Sequence, residues 1–369
     1  MGLWASQLAL MALSHAFEGE KPALTLIVAC RIKGADPSFG DFAPMAGRPC
    51  RGFPNVPMIL QDLVYRILSK PAVSRTLSRT GMRSGFAHRF VAGETIEEAL
   101  AASQRLAAGG RRICLNHLGE NVANEAQARE AAESYVEMLR QIRARSIDGN
   151  IAIKLTHLGL DLGRDLAVEL ATGIAAQARE LGLGVEIDME SSEYTSVTID
   201  VFEAVRRKFD NMGLAIQCYL RRSEDDLKRL EPLAPKIRLV KGAYREPPDV
   251  AFQEKAEVDR NYARLLDRLL DGPFFPAIAT HDPRLVDYAE RRIRERKLPP
   301  DRYEFQMLFG IRRDLQNKLR AEDHPLRIYV PFGTEWFPYF MRRLVERPAN
   351  TLFVLRSLAA ESFFANRRR

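Results

Sequence analysis

The chain has 369 residues, of which 46% are hydrophobic and 28% are charged, and its formal net charge at pH 7 is +7. These proportions are typical of a folded protein with a sizeable core, and they exclude collagen-like and fully disordered chains. The basic residues form no stripe interleaved with aromatics, which argues against a nucleic-acid partner. They fit an anionic ligand or weak contact with an acidic membrane surface.

Cysteine and histidine spacing indicates neither a metal site nor a disulfide framework. Cys30, Cys50, Cys114 and Cys218 show no paired spacing, and the six histidines form no His-x-x-x-His pair. Two of the cysteines fall in predicted buried strands, which is typical of free thiols in a reducing compartment. No apolar run reaches the roughly 18 residues that a membrane-spanning helix needs. We therefore predict a cytoplasmic protein without a metal, whose membrane contact would be peripheral and at the inner face.

Residues 1–57 differ from the rest of the chain. Prolines and glycines recur there too often for a regular element, at Pro37, Gly40, Pro44, Gly47, Pro49, Gly52, Pro54 and Pro57. We predict a loosely ordered extension over 1–57 and one domain over 58–369. A helical pattern covers 58–69, and the capping box Thr95-Ile-Glu-Glu98 opens a helix that runs to about residue 107.

From about residue 113 onward, apolar runs typical of buried parallel strands alternate with helical patterns. The predicted strands are 113–118, 151–157, 184–189, 214–220, 236–241, 275–280, 303–308 and 327–332. Between them, 125–144 and 254–270 each place apolar residues on one helical face, and Asp282-Pro283 is typical of a helix start.

Eight strand–helix units over about 240 residues predict an α/β fold, the (β/α)8 or TIM barrel, with N-terminal helices before it. A doubly wound open sheet is the alternative. It normally has fewer strands and an early Gly-x-Gly-x-x-Gly turn, which this chain lacks. A short C-terminal helix is predicted over 352–365.

The predicted strand at 236–241 carries charges that buried strands rarely hold. Arg238 and Lys241 lie inside or just past the apolar run, Gly242 closes it, and Tyr244 follows. Two cations there indicate an anionic ligand, while the glycine allows close backbone approach and the tyrosine offers a flat surface. The segment predicts the floor of a site for a flat, phosphorylated cofactor. The alternative is that both cations reach solvent from the strand end.

Polar residues occur at the carboxyl end of nearly every predicted strand. In a (β/α)8 barrel these ends meet at one rim, where active sites lie. Each residue alone could be an ordinary strand-end polar group, but their convergence predicts a site. In chain order they are Glu120, Lys154, Asp188, Gln217, Arg238, Lys241, Thr280, His281, Gln306 and Tyr329.

A last predicted helix carries Tyr339, Arg342, Arg343 and Glu346 at i, i+3, i+4 and i+7, so that they share one face. A solvated polar face is one interpretation of this spacing. The other is a binding face, because two adjacent arginines offer a planar, multi-donor grip on a carboxylate or phosphate. We predict that this helix packs over the C-terminal rim of the barrel.

Five motifs together resemble those of the proline dehydrogenase family. They are Arg238-Leu-Val-Lys-Gly-Ala-Tyr244, Ala279-Thr-His281, Tyr303-Glu-Phe-Gln306, Tyr329-x-Pro-x-Gly333 and Tyr339-x-x-Arg-Arg-x-x-Glu346. The resemblance runs from about residue 86 to about residue 358 and is to the monofunctional form, since no aldehyde dehydrogenase domain follows. It implies an FAD-dependent barrel that oxidises L-proline to 1-pyrroline-5-carboxylate, the first step of proline degradation to glutamate, and passes electrons to a quinone.

The resemblance also implies roles for individual residues. Arg238 and Asp188 match catalytic positions, the arginine beside the reactive edge of the flavin. The substrate-binding positions are Lys154, Arg342 and Arg343 for the carboxylate, Tyr244, Tyr329 and Tyr339 around the ring, and Glu120 and Glu346 as partners of cations. The FAD-binding positions are Met189, Gln217, Lys241, Gly242, Ala243, Thr280 and His281.

Two further positions bear on specificity and on charge. Tyr329 matches the tyrosine that lies over C4 of the substrate in members that prefer proline to 4-hydroxyproline. Asn116 stands where relatives commonly have an aspartate, which removes a charge near the centre of the barrel.

Two other functions fit parts of the same pattern. One is a barrel aldolase or isomerase that uses Lys154 or Lys241 as a Schiff-base lysine on a phosphorylated sugar. The other is a non-catalytic barrel that binds an anionic ligand for regulation. A bound flavin, and dye reduction with proline, would separate the predicted function from both.

Overall fold

The structure is a computed structural model, and it describes residues 87–346, with side chains described as far as Met341. The extension predicted over 1–57 and the helices predicted at 58–69 and 352–365 lie outside the described residues. The domain boundary at 57/58 therefore stays a prediction.

Eight strands form a closed parallel barrel in which each pairs with the next and β8 pairs with β1. The strands are β1 Arg112–His117, β2 Gly149–Ile153, β3 Val185–Ile187, β4 Met212–Gln217, β5 Lys236–Val240, β6 Phe275–Ala279, β7 Glu304–Leu308 and β8 Leu326–Phe332. The predicted (β/α)8 barrel is confirmed, and the open doubly wound sheet is excluded because no strand of this sheet is an edge.

Among the described residues, one α-helix precedes β1, seven connect successive strands, and one follows β8. They are α1 Ile96–Ala108, α2 Glu125–Ala144, α3 Arg164–Glu180, α4 Ser192–Arg206, α5 Ser223–Leu230, α6 Lys255–Asp271, α7 Pro283–Glu295, α8 Arg313–Ala321 and α9 Trp336–Glu346. The predicted capping box is present: the Thr95 side chain accepts from the Glu98 amide, and Glu98 bonds back to the Thr95 amide. Asp282 caps α7, with Pro283 at its first position.

Two predicted strands extend too far at their carboxyl ends. The sequence pattern predicts residues 156 and 157 in a strand, but Thr156–Leu158 forms a 3-10 helix. Glu190 accepts hydrogen bonds from both the backbone amide and the hydroxyl of Thr156, which takes that amide away from a strand ladder. After β4, Leu220 donates its amide to the Gln217 carbonyl in a turn. The apolar side chains in both segments are buried in loops, so hydrophobicity alone could not mark these strand ends.

The two faces of the strands have different chemistry. Outward positions such as Leu115, Ile153, Leu239 and Phe305 are fully buried against the helices and form the main core. The alternate positions face the barrel interior and are largely polar. The interior therefore contains charged and amide side chains, whereas the apolar core lies between the strands and the helices.

Residues Ala87–Trp336 form one compact unit that contains the whole barrel, and the chain from Phe337 onward belongs to a second unit. In the second unit, Phe337, Tyr339, Phe340 and Met341 on α9 are buried. The predicted packing of this helix over the rim stays a prediction. Within 87–346, no helix is long and apolar enough to cross a membrane.

Candidate active site

The side chain of Arg238 lies inside the barrel. β5 pairs only with β4 and β6, yet the guanidinium contacts groups on other strands. Its Nε donates to Gln306 Oε1 at 2.7 Å on β7, and its Nη2 lies 2.6 Å from Glu186 Oε2 on β3 and 3.4 Å from Cys114 Sγ on β1. Nη1 pairs with Asp188, directly after β3. These contacts cross the interior, so the cation does not reach solvent from the strand end, and its side chain is only 5% exposed.

Asp188 joins Arg238 to Tyr329. The Tyr329 hydroxyl donates to Asp188 Oδ2 at 2.6 Å, and the Arg238 guanidinium lies 5.2 Å from the centroid of the Tyr329 ring. Burial and the Asp188 charge raise the pKa of Tyr329 well above its usual value, so the hydroxyl keeps its proton and donates it. Three residues predicted separately from strand ends thus form one contact group.

A buried ion network lies next to this group, towards the amino ends of the strands. Lys236 Nζ is 2.8 Å from Glu186 Oε1 and 2.6 Å from Glu304 Oε1, and Arg327 Nε is 2.9 Å from Glu304 Oε1. Burial disfavours both carboxylates, but the positive charges of Arg327 and Lys236 win and lower the pKa of Glu304 to about 2. Gln306 Nε2 donates to both glutamates. Each of the two carboxylates has at least two cationic partners, which offset the cost of burying its charge.

Lys236, Glu186, Glu304 and Arg327 are not among the predicted site residues, although a pattern in the strands indicates them. On four strands a charged or amide residue precedes the predicted site residue by two positions, which places both on the same face. The pairs are Glu186 with Asp188, Lys236 with Arg238, Glu304 with Gln306, and Arg327 with Tyr329.

Lys154 and Glu120 meet at the ends of β2 and β1, as expected for strand-end residues. Lys154 Nζ donates to Glu120 Oε2 at 2.8 Å, and the two side chains are 8% and 27% exposed. Asn116 lies in β1, four residues before Glu120, and is fully buried. Its Nδ2 donates to the Ala152 carbonyl. Its Oδ1 accepts no hydrogen bond from the residues that the structure describes.

The ends of β4 and β5 carry Gln217 and Lys241. Gln217 is buried, and its Nε2 donates to the Glu190 carbonyl at 2.8 Å. Lys241 Nζ lies 2.5 Å from Asp259 Oδ1 and 2.9 Å from Asp282 Oδ2. Lys241 Nζ is therefore shared between two carboxylates, an arrangement that the sequence pattern does not predict.

The end of β6 offers hydrogen-bond donors. His281 Nε2 accepts from the Leu308 amide at 2.9 Å, which places the proton of the neutral ring on Nδ1. The Thr280 hydroxyl accepts from the Asp282 amide at 3.2 Å and keeps its own proton to donate.

The remaining predicted flavin positions are Met189, which is buried after β3, and Gly242 and Ala243 in the loop after β5, where Ala243 is exposed. The predicted substrate-binding residue Tyr244 is half-buried in the same loop. Gly242 has a φ of +120°, and a Cβ there would lie 2.3 Å from the Tyr219 ring. This position therefore needs glycine for both its backbone angle and its space.

Tyr339 and the positions of Arg342, Arg343 and Glu346 lie on α9. The side chains of the last three are outside the described part of the structure, so the predicted substrate clamp stays a prediction.

One group of metal-ligand side chains occurs among residues 87–346, formed by Glu290, Glu322 and His324. It precedes β8 and is away from the carboxyl ends of the strands. Lys318 Nζ already lies 2.9 Å from Glu290 Oε2 in this group.

A model of the proline dehydrogenase family matches residues 99–356 of this sequence. The chain belongs to the proline dehydrogenase family. Membership makes it an oxidoreductase of proline catabolism.

Its relatives include monofunctional enzymes over almost their whole length. The chain is 39% identical over 278 residues to proline dehydrogenase 1 of Bacillus subtilis subsp. natto, with 75% of this chain and 92% of the relative covered. It is 38% identical over 308 residues to proline dehydrogenase of Deinococcus radiodurans, with 82% and 99% covered. The predicted resemblance to the monofunctional form is confirmed.

Solved structures of proline utilization A, a longer protein, are also similar. The crystal structure of proline utilization A from Bdellovibrio bacteriovorus inactivated by N-propargylglycine matches with a TM-score of 0.68 and 25% identity. The match covers 77% of this chain and 35% of that one, so the chain spans about a third of the longer protein. A structure of proline utilization A with proline bound in remote sites matches with a TM-score of 0.62 and 26% identity, over 79% and 34% of the two chains.

Proposed function

We propose that this chain oxidises L-proline to 1-pyrroline-5-carboxylate with FAD as its cofactor and passes the electrons to a quinone. The observation that carries the proposal is the buried group of Arg238, Asp188 and Tyr329 inside a barrel of the proline dehydrogenase family. Because quinones are membrane-soluble, the proposal includes a cytoplasmic protein that touches the inner face of the membrane at its periphery.

The residues at the ends of β4 to β6 fit FAD by their chemistry. Lys241, the Thr280 hydroxyl and the Nδ1–H of His281 are donors suited to a pyrophosphate, and they need no dinucleotide-binding fingerprint. Gln217 and the glycine backbone at Gly242 suit the polar edge of a flavin. Asp259 and Asp282 compete for Lys241, so the phosphates would share this cation with two carboxylates.

FAD, when bound, supplies the acceptor for the hydride that leaves C5 of proline. The protein contributes orientation and charge. Proline must present a neutral ring nitrogen, and its carboxylate must be held away from the flavin, which is the role we assign to Lys154, Arg342 and Arg343. Tyr244, Tyr329 and Tyr339 would enclose the ring, and Glu120 and Glu346 would fix the cations.

Arg238 is the cation that would stabilise negative charge gained by the flavin on reduction. It is already held by groups of the barrel and needs no rearrangement to act. Asp188 fixes both this guanidinium and the Tyr329 hydroxyl, so we assign it an orienting role.

The Schiff-base alternative is opposed by the partners of both lysines. A Schiff-base lysine must present its amine to the substrate carbonyl. Lys154 Nζ is paired with Glu120, and Lys241 Nζ is paired with Asp259 and Asp282, so each amine would first have to leave its carboxylate partners.

The test is to purify the protein, release its cofactor by acid precipitation, and identify it, while the native protein is assayed with proline and a soluble quinone. We expect free FAD in the supernatant, proline-dependent quinone reduction, and a product with the chemistry of 1-pyrroline-5-carboxylate. FMN, flavin left in the pellet, or quinone reduction that does not depend on proline would contradict the proposal.

A further inference from the structure

We propose that Glu186 is a positioning residue for this reaction: its buried carboxylate holds the Arg238 guanidinium inside the barrel and limits the positive charge that acts on the flavin. The inference rests on the proposed function, because it concerns the effect of Arg238 on bound FAD. It adds a residue that no motif of the family resemblance includes.

Contacts with residues of three strands hold the Glu186 carboxylate in place. Glu186 Oε2 lies 2.6 Å from Arg238 Nη2, and the glutamate side chain is 1% exposed. Its Oε1 accepts from Asn150 Nδ2 at 2.5 Å and lies 2.8 Å from Lys236 Nζ, and Gln306 Nε2 donates to both oxygens at 3.2 and 3.1 Å. Residues of β2, β5 and β7 therefore fix the carboxylate, so it can in turn fix the guanidinium.

A glycine on the neighbouring strand leaves room for the Glu186 side chain. Gly213 lies on β4, directly between Glu186 on β3 and Lys236 on β5. A Cβ at this glycine would lie 3.2 Å from Glu186 Cγ, 3.2 Å from the Lys236 carbonyl and 3.3 Å from Lys236 Cβ. Because Gly213 has no side chain, Glu186 and Lys236 can approach each other across β4. The neighbouring strands therefore determine the position of the Glu186 side chain.

The surroundings of Glu186 keep its carboxylate charged. Arg238 has two carboxylate partners, but they differ in their surroundings. Asp188 is 15% exposed and also accepts from Tyr329, whereas Glu186 is enclosed. The positive charges of Arg238, Lys236 and Arg327 outweigh the effect of burial and hold the pKa of Glu186 well below its usual value. The carboxylate is therefore negatively charged at neutral pH.

Loss of that charge has a predictable direction. In Glu186→Gln, the guanidinium keeps Asp188 and Gln306 but is less neutralised, so it stabilises the negative charge of the reduced flavin more strongly. We expect the equilibrium constant for two-electron flavin reduction to rise about tenfold, which corresponds to a potential about 30 mV more positive. The guanidinium also loses its deep anchor, so we expect kcat with proline to fall at least fivefold while KM changes less than twofold.

The experiment compares holoenzyme variants by flavin reduction potential, kcat and KM. Glu186→Asp keeps the charge and should hold the potential near the wild-type value. The matched control is Glu304→Gln, which removes an equally buried strand carboxylate from Lys236 and Arg327 but leaves the Glu186–Arg238 pair intact. It should lower the melting temperature while changing the reduction constant less than half as much as Glu186→Gln. Equal potentials in wild type and Glu186→Gln, or equal shifts in Glu186→Gln and Glu304→Gln, would overturn the inference.

A second measurement is independent of flavin. A double-mutant cycle of Glu186→Gln and Arg238→Met, followed by urea unfolding of the flavin-free protein, reports the coupling of the two side chains. We expect the double variant to lose less stability than the sum of the single variants, because each single change leaves a buried charge without its partner. Additive losses would overturn the positioning role. If the purified wild-type protein contains no flavin, the proposed function is wrong, and so is the predicted effect of Glu186 on flavin. The double-mutant cycle would still show whether Glu186 and Arg238 are energetically coupled.

Discussion

Tyr329 combines two properties that single substitutions can separate. Its ring packs against the Arg238 guanidinium, and its hydroxyl donates to Asp188. In the proposed function the ring would also lie over C4 of proline. Tyr329→Ser should open that space and shift the ratio of kcat/KM for 4-hydroxyproline over proline by about tenfold or more.

Tyr329→Phe is the control for this substitution. It keeps the ring and removes only the hydrogen bond to Asp188, so the ratio should stay near the wild-type value while both activities fall. Steady-state assays with both substrates provide the ratio. A serine variant with an unchanged ratio would show that another residue selects the substrate.

Arg342 and Arg343 are the residues from which we predict the largest loss of substrate binding. A carboxylate held by charge-assisted hydrogen bonds gains roughly 1.5–3 kcal/mol per donor group. Arg342→Met and Arg343→Met should therefore each lower kcat/KM for proline at least about tenfold. Arg343→Lys should restore only part of the loss, because lysine keeps the charge but lacks the planar fork.

The ratio of flavin to protein is the control for the arginine pair. It should stay near normal in all three variants, since the pair is predicted to face the substrate. Kinetics close to wild type in both methionine variants would favour the solvated face as the correct interpretation of this helix.

At the scale of elements, the loop after β5 depends on one glycine. Gly242 has a φ of +120°, and a methyl group there would overlap the Tyr219 ring. Gly242→Ala should therefore displace the loop that carries Tyr244 and lower the ratio of bound FAD to protein at least severalfold. Absorbance of the purified protein in the flavin band gives this ratio.

Gly173→Ala is the matched control. Gly173 lies within α3, and a Cβ there would meet no atom within 4 Å. Alanine should keep the flavin ratio and leave stability unchanged or raise it by up to about 1 kcal/mol. Equal flavin content in the two variants would show that the loop accommodates a side chain at position 242.

The order of the elements could be predicted from sequence because each strand is a short apolar run, whereas in each helix the apolar residues recur with the helical period. The residues 125–144 illustrate this, since the predicted helix has the bounds of α2. The carboxyl ends of β2 and β4 could not be predicted in this way, and for β2 the reason is that Thr156 donates to Glu190, which lies 34 residues further along the chain. Long-range polar contacts of this kind leave no local pattern.

Prediction of the site was limited in the same way. Strand-end positions identified Arg238 and Asp188, because alternation fixes the face on which a strand residue lies. The partners that determine their charge, such as Glu186, and the carboxylates around Lys241 became visible only with the register of all eight strands. Sequence indicates which side chains enter the barrel, and the register determines which of them meet.

At the scale of the whole molecule, residues 1–57 provide a test of the predicted domain boundary. They lie outside both the described structure and the family match. Deletion of 1–57 should leave flavin content, kcat/KM and melting temperature close to the full-length values, because little core is expected to depend on a proline-punctuated segment. A truncated protein that loses flavin or melts well below the full-length chain would place the boundary nearer the start of the chain.

Acid should destabilise the barrel through buried groups whose pKa is lowered on folding, and His157 and Glu304 are two of them. Burial, followed by the charges of His117 and Lys154, lowers the pKa of His157 to about 4, and ion pairing lowers the pKa of Glu304 to about 2. In both cases the unfolded chain binds protons before the folded chain does, so the free energy of unfolding falls as pH falls. The loss for His157 begins near its unfolded pKa of about 6.5 and is complete near 4, and the loss for Glu304 follows between about 4.5 and 2.

His157→Asn isolates the first of these losses. The His157 Nδ1 lies 3.0 Å from the Tyr135 hydroxyl, and an asparagine oxygen can accept the same hydrogen bond without titrating in this range. A shift from 6.5 to about 4 is worth up to about 3 kcal/mol, so between pH 7 and pH 4.5 the variant should lose clearly less stability than the wild type. Urea unfolding at several pH values measures this, with the exposed His88 replaced by asparagine as the control. If wild type and His157→Asn lose stability in parallel over that interval, proton uptake by other groups, and not by His157, governs the acid sensitivity of the barrel.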